Sequence, residues 1–338
     1  MTRYLAKRVA LGLLVVVGVL ILTFTIARVV PGDPAASWVG PHATPAQLAQ
    51  AHRDLGLDRP LPVQVVDYLR GVLAGDWGVS IHTKHSVLSD LATRAPASIE
   101  LVVAALLIAL ALGVPLGLVS ARWSGRLPDL LVRLTAVAGV SMPVFWLALI
   151  LQLVFFQKLG LLPVAGEYDP NLHYTSPLAQ HTHLTLVDAL VTANWPVLWS
   201  ALQHLVLPAV VVAAYPLGVI ARMVRASVLE TLGEEHVRMV RALGFPERTI
   251  LWRFSLRPAL NPIVAITALV FAYSLANTFL VESIFDWPGL GSYVVASTQT
   301  LDTPAIIGVT LLIAIVYVVS NLLVDVAQAL LDPRIRLE

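Results

Sequence analysis

The sequence contains no cysteine, which excludes disulfides, thiolate metal ligands and a cysteine nucleophile. Charged residues are also scarce, at 13% of 338 residues, about half of the fraction usual for a soluble domain. The net charge of +1 shows neither a basic excess that would favour nucleic acid nor an acidic one. With 57% hydrophobic residues, the chain requires an apolar solvent, and we predict an integral membrane protein.

Lysine is almost absent too, and its positions exclude a phosphate-binding loop. Such a loop carries Gly-Lys followed by Ser or Thr, because the lysine reaches the phosphates of the nucleotide. None of the three lysines has this context; they are Lys7, Lys84 and Lys158. We therefore expect no ATP hydrolysis by this chain, no catalytic residue and no cofactor.

Six apolar runs are long enough to cross a bilayer as helices. The hydrocarbon core is about 30 Å thick and needs about 20 apolar residues of helix, since lipid offers no partner to unpaired backbone groups. The fold class predicted is all-α, with one transmembrane domain over residues 1–338. The six predicted spans are 9–27, 98–120, 134–156, 197–221, 259–281 and 305–328. The first exceeds the usual apolar core of a secretory signal, so we expect it to be retained.

Arginine and lysine are distributed unevenly between the connections, and this predicts the orientation. Segments on the cytoplasmic side of a membrane are rich in these residues. If the N-terminus lies inside, 15 of the 22 lysines and arginines fall on inner segments, seven of them between Arg222 and Arg257. Both termini are therefore predicted to be cytoplasmic.

Two long connections, residues 28–97 and 157–196, would then face outward and cap the outer mouth of a pore. Turn signals such as Gly75-Asp76-Trp77-Gly78 indicate that the first is folded. Seven of the nine histidines lie in outward loops, including the pairs His82 with His85 and His181 with His183. Two short pairs without adjacent carboxylates are a weak indication of metal, so we expect no metal site.

The inward segment 222–258 carries an amphipathic pattern. Val237, Val240 and Leu243 recur at three-residue steps with arginines between them, which favours a short helix. Gly244 suits a left-handed helix cap, and Pro246 suits the start of a second helix. Two readings of this helix–break–helix pattern remain open: a hairpin lying on the membrane surface, or a docking element for a cytoplasmic partner. In the second reading we expect the apolar face of Val237, Val240 and Leu243 to fit a groove on the partner.

The run from Glu230 to Pro258 resembles the cytoplasmic signature of bacterial ABC-importer permeases, specifically the B-type subunit of the dipeptide and oligopeptide group. In that signature a glycine separates two helices that dock into the ATPase subunit, and Gly244 has this position. Further motifs resemble the family in order along the chain: Pro31-Gly32-Asp33-Pro34, Leu57-Asp58-Arg59-Pro60, Gly75-Asp76-Trp77-Gly78, the run from Glu282 to Gly291, and Asp332-Pro333-Arg334.

The resemblance implies a multi-pass subunit of the bacterial inner membrane. Its implied partners are a homologous second permease, two ATPase subunits and an external solute-binding protein. The coupling residues it implies are Glu230, Glu234, Val237, Arg238, Val240, Arg241, Gly244 and Pro246. The implied solute is a di- or oligopeptide, with nickel, haem, glutathione and sugars left open. The segment departs from the family at His236, Met239, Val240 and Leu243, which leaves the choice of ATPase partner open.

Polar residues inside spans are costly in lipid and usually face protein or water. The candidates for lining a translocation path are Ser141, Gln152, His204, Ser274, Asn277 and Thr278. Hydrogen bonding between helices is the alternative for each. Prolines in or beside the spans can kink them; they are Pro115, Pro143, Pro208, Pro216 and Pro262.

Two other classes of membrane protein compete with a permease. One is an intramembrane serine protease, in which Ser141, after Gly139-Val140, would be the nucleophile and His204 in the next span its base. A nucleophile needs its base within hydrogen-bond reach, and the sequence does not show this. A secondary transporter would usually have related halves with interrupted helices, and no related halves are visible in the sequence.

Overall fold

The computed structural model describes residues 2–29, 33–40 and 42–331; for residues 2–5, 28, 29 and 327–331 it describes the backbone only. Two of the sequence motifs are affected. Pro31-Gly32 of the first motif and all of Asp332-Pro333-Arg334 lie outside the described residues, as does the predicted cytoplasmic C-terminus. Within these ranges the chain is helical, with a single bridge pair, Val79 with Ser86, in place of any strand.

The first half of the described chain contains a long N-terminal helix, three short helices and then the long apolar ones. They are α1 (Thr2–Val29), α2 (Pro34–Val39), α3 (Pro45–Asp54), α4 (Leu61–Leu73), α5 (Val87–Arg122), α6 (Leu127–Ser141) and α7 (Val144–Leu151), which continues as π-helix over Gln152–Lys158.

The second half alternates short and long helices. They are α8 (Leu172–Thr175), α9 (Thr185–Val191), α10 (Trp195–Leu232), α11 (Glu235–Ala242), α12 (Glu247–Thr249), which continues as π-helix over Ile250–Ser255, α13 (Leu260–Asn277), α14 (Phe279–Ile284), α15 (Leu290–Gln299) and α16 (Thr303–Leu331).

Five helices of the described chain are long and apolar enough to cross a membrane: α1, α5, α10, α13 and α16. The pair α6 and α7 is a sixth candidate, but it is bent by 103°. The structure differs here from the single helix predicted over 134–156. Pro143 lies at the bend, where its ring cannot continue the helix and Met142 before it is extended, with ψ 128°.

Two predicted spans are parts of longer helices. The helix α5 begins at Val87, eleven residues before the predicted span, and α10 continues to Leu232, eleven residues after it. Charged residues such as Asp90 and Arg94, or Arg222 and Arg225, interrupt the apolar pattern in both extensions, so the predicted spans stop short of them. Pro115, Pro208 and Pro216 lie within the continuous helices α5 and α10, and Pro262 lies in the first turn of α13.

The predicted span 259–281 is interrupted at Thr278, where α13 ends and α14 begins. The break brings Glu282 on α14 into the protein interior, where its side chain is fully buried. A buried carboxyl group needs hydrogen-bond partners, and the break allows the chain after Thr278 to supply them.

The central packing contact joins α5 and α10, and glycines make it close. A Cβ added at Gly117 would lie 2.7 Å from the carbonyl oxygen of Ala221, and one at Gly113 would lie 3.2 Å from that of Leu217. Gly113 and Gly117 are four residues apart and so lie on one face of α5. This small-xxx-small pattern lets two membrane helices approach until their backbones touch.

Candidate coupling site and translocation path

The segment 233–255 forms a compact element that we call the knuckle: α11, a tight turn, α12 and the π-helical turn after it. It begins where α10 ends at Leu232, so Gly233 separates two helices that the sequence pattern would join. Glu230 therefore lies on α10 rather than on the knuckle, with an exposed side chain, and Glu234 precedes α11.

Gly244 makes the turn of the knuckle with a φ of +81°, which confirms the left-handed conformation predicted for it. The turn is closed by a hydrogen bond from the Gly244 N–H to the Arg241 carbonyl at 3.0 Å. A Cβ added at Gly244 would meet no atom within 4 Å. A side chain here would thus cost backbone strain and nothing in packing.

The structure corrects the expected orientation of the amphipathic face. Val237 is fully buried and Val240 is 7% exposed, and both pack on Ile250 of the π-helical turn within this chain. They cannot meet a partner's groove. Leu243 follows the last residue of α11 and is 67% exposed, because it lies past the helix end and leaves the face of the two valines.

The surface offered to solvent is formed by other residues of the knuckle. Met239, Leu243 and Phe245 are exposed apolar side chains there, and Arg238 and Pro246 are exposed beside them. We call these five residues the knuckle surface. Three large apolar side chains are thus exposed within a short, otherwise polar element.

Arg241 and Glu247 brace the knuckle across its turn. The guanidinium donates from Nε to Oε1 at 2.7 Å and from Nη2 to Oε2 at 3.3 Å. The hydrogen bond from Arg241, with a smaller charge effect from Arg122, holds the pKa of Glu247 below its ordinary value. Arg122 ends α5, so the knuckle and the C-terminal end of α5 lie at the same end of the protein.

The first three path candidates lie in different surroundings. Ser141 is exposed at the bend between α6 and α7. Gln152 donates from Nε2 to the carbonyls of Val164 at 2.9 Å and Ile284 at 3.3 Å, so it joins this helix to a loop and to the end of α14. The Nδ1 of His204 lies 2.8 Å from the Ser200 carbonyl of its own helix. Among the described residues, no hydrogen bond joins Ser141 to His204.

The other three candidates lie near the end of α13. Ser274 and Thr278 are buried, and the Thr278 hydroxyl donates to the Leu275 carbonyl at 3.1 Å. Asn277 is exposed but donates to the Tyr273 carbonyl at 2.8 Å, within its own helix. Among the described residues no hydrogen bond joins any two of the six candidates, and Ser141 and Asn277 are the two with exposed side chains.

Sequence reasoning missed a buried carboxylate at the knuckle end. Asp129 on α6 accepts from the Ser120 hydroxyl at 2.5 Å, the Gly125 N–H at 2.9 Å and the Arg225 guanidinium on α10. Its side chain is 1% exposed. The only sequence signal was an aspartate in the first turn of a helix; Arg225, its charge partner, is 96 residues away.

A second buried carboxylate, Glu282, lies near the other end of α5, at Ser98. It accepts from the Ser98 hydroxyl at 2.6 Å and from the backbone N–H groups of Gly291 at 2.6 Å and Ser292 at 3.2 Å. The Ser98 oxygen in turn accepts from the Leu290 N–H at 2.7 Å. We call this arrangement the outer clasp. It fixes the loop 285–289, which belongs to the motif from Glu282 to Gly291.

Gly289 and Gly291 allow the outer clasp to close. A Cβ at Gly289 would overlap the Glu282 carboxylate and the Ser98 hydroxyl, and one at Gly291 would overlap the Phe279 backbone. The Trp287 ring is buried beside them, and its Nε1 donates to the Ala97 carbonyl at 2.9 Å. The two glycines are thus required by close approach of backbone and carboxylate.

Comparison with known proteins identifies the family. Residues 113–337 match the family described as "binding-protein-dependent transport system inner membrane component", and residues 1–102 match the family of its N-terminal region.

Individual relatives match almost the whole chain. The probable D,D-dipeptide transport system permease protein DdpB of Escherichia coli (strain K12) is 42% identical over 95% of this chain and 94% of its own. The di/tripeptide transport system permease protein DppB of Pseudomonas aeruginosa (strain UCBPP-PA14) is 37% identical over 99% of each chain. The glutathione transport system permease protein GsiC of Pectobacterium atrosepticum is 34% identical over 99% of each.

Coverage of this extent over both families, together with several apolar helices, confirms the resemblance seen in the sequence motifs. This chain belongs to the inner membrane components of binding-protein-dependent transport systems, the ABC-importer permeases, and is a multi-pass protein of the bacterial inner membrane.

Proposed function

We propose that this chain forms half of the transmembrane path of an ATP-driven importer for di- or oligopeptides. The observation that carries the coupling part of the proposal is the knuckle, an exposed apolar surface held by a left-handed glycine. The substrate class is supported by relatives named for dipeptides, di/tripeptides and glutathione, which is itself a small peptide. The chain would hydrolyse no ATP, since its lysines lack the context of a phosphate-binding loop.

The knuckle would dock into a groove of an ATPase subunit through Met239, Leu243 and Phe245. Burial of these three side chains would remove apolar area from water, and the exposed Arg238 beside them would select an acidic rim. The Arg241–Glu247 pair and the buried valines would keep the knuckle rigid, so that movement of the ATPase moves the spans. The chain would pair with a homologous second permease and receive solute from an external binding protein.

The knuckle end would be cytoplasmic, and both termini would lie on that side. The arginines Arg122, Arg126, Arg133 and Arg225 support this orientation, since they collect on the inner segments and positive charge is retained inside. In this orientation, the layout proposed from the sequence has six spans, and its coupling segment 222–258 lies on the cytoplasmic side.

The outer segments would form a cap over the outer mouth, where the binding protein docks. Contacts among them support a folded cap: the Ser80 hydroxyl donates to the Asp302 carboxylate at 2.5 Å, and the Gly166 N–H donates to the Phe285 carbonyl at 2.8 Å. These bonds join both outward connections to the loops around α14 and α15.

Cysteine labelling tests the orientation without background, because the chain has no cysteine. Ser86→Cys and Ser124→Cys both replace exposed serines, one at each proposed end. A membrane-impermeant maleimide added to intact spheroplasts should label Ser86→Cys and leave Ser124→Cys unlabelled until the membrane is opened. The reverse pattern would overturn the orientation.

Reconstitution tests the function. The two permeases and two ATPases are placed in proteoliposomes, and the loaded binding protein and labelled alanyl-alanine are added on the binding-protein side. Uptake should require ATP on the opposite side, and vesicles without this chain should show none. Uptake of nickel, haem or a sugar but not of peptides would contradict the substrate class, and peptide uptake without ATP would contradict the importer class.

A further inference from the structure

A cavity of about 540 Å³ opens at the outer end, beside the outer clasp. It lies between the first turns of α5, the loop before α8, the loop 286–288 and α15. Charged and aromatic side chains line it together: Arg94, Glu167, Tyr168, Asp286, Trp287 and Tyr293. Its volume falls in the range of about 300–1,000 Å³ typical of small-ligand sites.

Arg94 supplies the cavity with a cation that nothing in the described chain neutralises. The guanidinium lies over the Tyr293 ring, 5.0 Å from its centroid, and makes no hydrogen bond or ion pair with the residues that the structure describes. The side chain is half-buried. A guanidinium has five donors arranged in a fork that matches a carboxylate, so an unpaired one in a cavity favours an anionic ligand group.

Asp286 supplies the opposite charge. Its carboxylate is exposed and accepts no hydrogen bond from a described residue. Its backbone has a φ of +47°, a conformation uncommon for a residue with a side chain, and the next residue is held by a hydrogen bond from the Trp287 N–H to the Glu282 carbonyl at 2.8 Å. Backbone strain of this kind, held by its surroundings, is concentrated at ligand sites. Glu167 adds a second carboxylate to the lining, but this one is already hydrogen-bonded to the Thr185 side chain, which leaves Asp286 as the free one.

The cavity wall is fixed before any ligand arrives. Ser98 of the outer clasp lies one turn after Arg94 on the same face of α5 and bonds to Glu282, so the helix carrying the cation is tied to the loop carrying Asp286. Trp287 is anchored to the Ala97 carbonyl. A preformed site loses little free energy to ordering when a ligand binds.

We propose that this cavity binds the two charged ends of a short peptide, with Arg94 on the C-terminal carboxylate and Asp286 on the N-terminal ammonium. Tyr168 contributes an aromatic wall to the cavity, and the Tyr293 ring lies beneath the Arg94 guanidinium. The proposal rests on peptide import as the function of this chain. A free cation and a free carboxylate on one small cavity match a zwitterion better than an ion of a single sign, which would leave one of them unpaired.

The test measures binding of alanyl-alanine and its C-terminal amide to the complete permease and ATPase complex without binding protein, by saturation-transfer NMR. The unaltered complex should bind the free acid about tenfold more tightly than the amide, since only the acid forms the charge-assisted pair. Arg94→Gln should bind both equally, and Arg94→Lys should retain part of the preference. Arg70→Gln, an exposed arginine of α4 outside this cavity, should keep the full preference.

N-acetyl-alanyl-alanine tests the other end in the same way. It should bind the unaltered complex more weakly than the free dipeptide, and Asp286→Asn should remove that difference. If Arg94→Gln discriminates acid from amide as the unaltered complex does, the proposal is wrong. Peptide uptake by the unaltered complex in proteoliposomes is measured in parallel, so that failure of this site is distinguished from failure of the proposed transport function.

Discussion

The guanidinium of Arg225 on α10 donates two hydrogen bonds to the carboxylate of Asp129 on α6, from Nε to Oδ1 at 2.7 Å and from Nη2 to Oδ2 at 3.0 Å. The same carboxylate accepts from Ser120 near the end of α5 and from Gly125 in the turn after it. Three segments therefore meet on one buried aspartate at the knuckle end. The helix α10, which carries Arg225, ends at Leu232 and leads directly into Gly233 at the start of the knuckle.

Asp129→Asn should be strongly destabilising, although it preserves the shape of the side chain. The amide removes the negative charge and turns one acceptor into a donor that faces other donors, which leaves a partly buried arginine without its partner. Losing one member of a buried pair costs about 3–5 kcal/mol, and about 3 kcal/mol is expected here because Arg225 is 24% exposed. Thermal unfolding in detergent measures the loss. Arg126→Gln, an exposed neighbour, is the control, and equal shifts for both variants would contradict this assignment.

The contact between α5 and α10 should depend on its two glycines unequally. An added Cβ lies 2.6 Å from the Val224 Cβ at Gly117 but no nearer than 3.1 Å to any atom at Gly113. Gly117→Ala should therefore lower the free energy of unfolding by roughly 1–3 kcal/mol and Gly113→Ala by less. Gly18→Ala, where the added Cβ meets nothing within 4 Å, should be nearly neutral. Thermal unfolding in detergent ranks the stabilities of the three variants. No loss of stability in Gly117→Ala would show that α5 and α10 are further apart than in this structure.

The outer clasp should protect the loop 285–291 from hydrogen exchange. Glu282→Gln keeps the shape but weakens acceptance from Ser98 and Gly291, and hydrogen bonds to a charged group contribute about 1.5–3 kcal/mol. Exchange in this loop should rise about tenfold or more. Ser283→Ala on the same helix has an exposed side chain that bonds only within its helix, and it should leave exchange unchanged. An unaltered rate in Glu282→Gln would mean that the loop is held by other contacts.

Much of the architecture follows from local signals in the sequence. Long apolar runs predict the helices because lipid permits no unpaired backbone groups, and Gly244 followed by Pro246 predicts the left-handed turn because few other residues adopt it. The prediction that Val237 and Val240 face a partner protein was wrong, because both are buried within this chain. Helical spacing shows that two valines share a face, but whether a partner or the chain's own π-helical turn covers that face depends on tertiary packing.

The buried polar clusters could not be predicted, for a related reason. Ser98 and Glu282 are 184 residues apart, and Asp129 and Arg225 are 96 apart, so no window along the chain holds both partners. The glycine spacing of Gly113 and Gly117 was visible and marks a helix contact, although it does not name the partner helix. Pro143 lies at a break between two helices, whereas Pro208 and Pro216 lie within the continuous helix α10, and the sequence alone does not distinguish these two outcomes.

The central claim, that the knuckle couples this chain to an ATPase, is tested most directly by Gly244→Val in the reconstituted complex. A β-branched residue is strongly disfavoured at a φ of +81°, so the turn should change conformation and alter the direction of α11. Because an added Cβ meets no atom within 4 Å, membrane insertion and abundance should stay near normal. The control is Gly160→Val, since Gly160 has a φ of +62° and equally open surroundings but lies far from the knuckle, after the π-helical turn of α7. Both variants are compared at normal levels in proteoliposomes. Gly244→Val should lose at least nine-tenths of ATP-driven peptide uptake, and its ATPase activity should no longer respond to loaded binding protein, whereas Gly160→Val should transport normally. Normal uptake by Gly244→Val would contradict the proposal that the knuckle couples this chain to an ATPase.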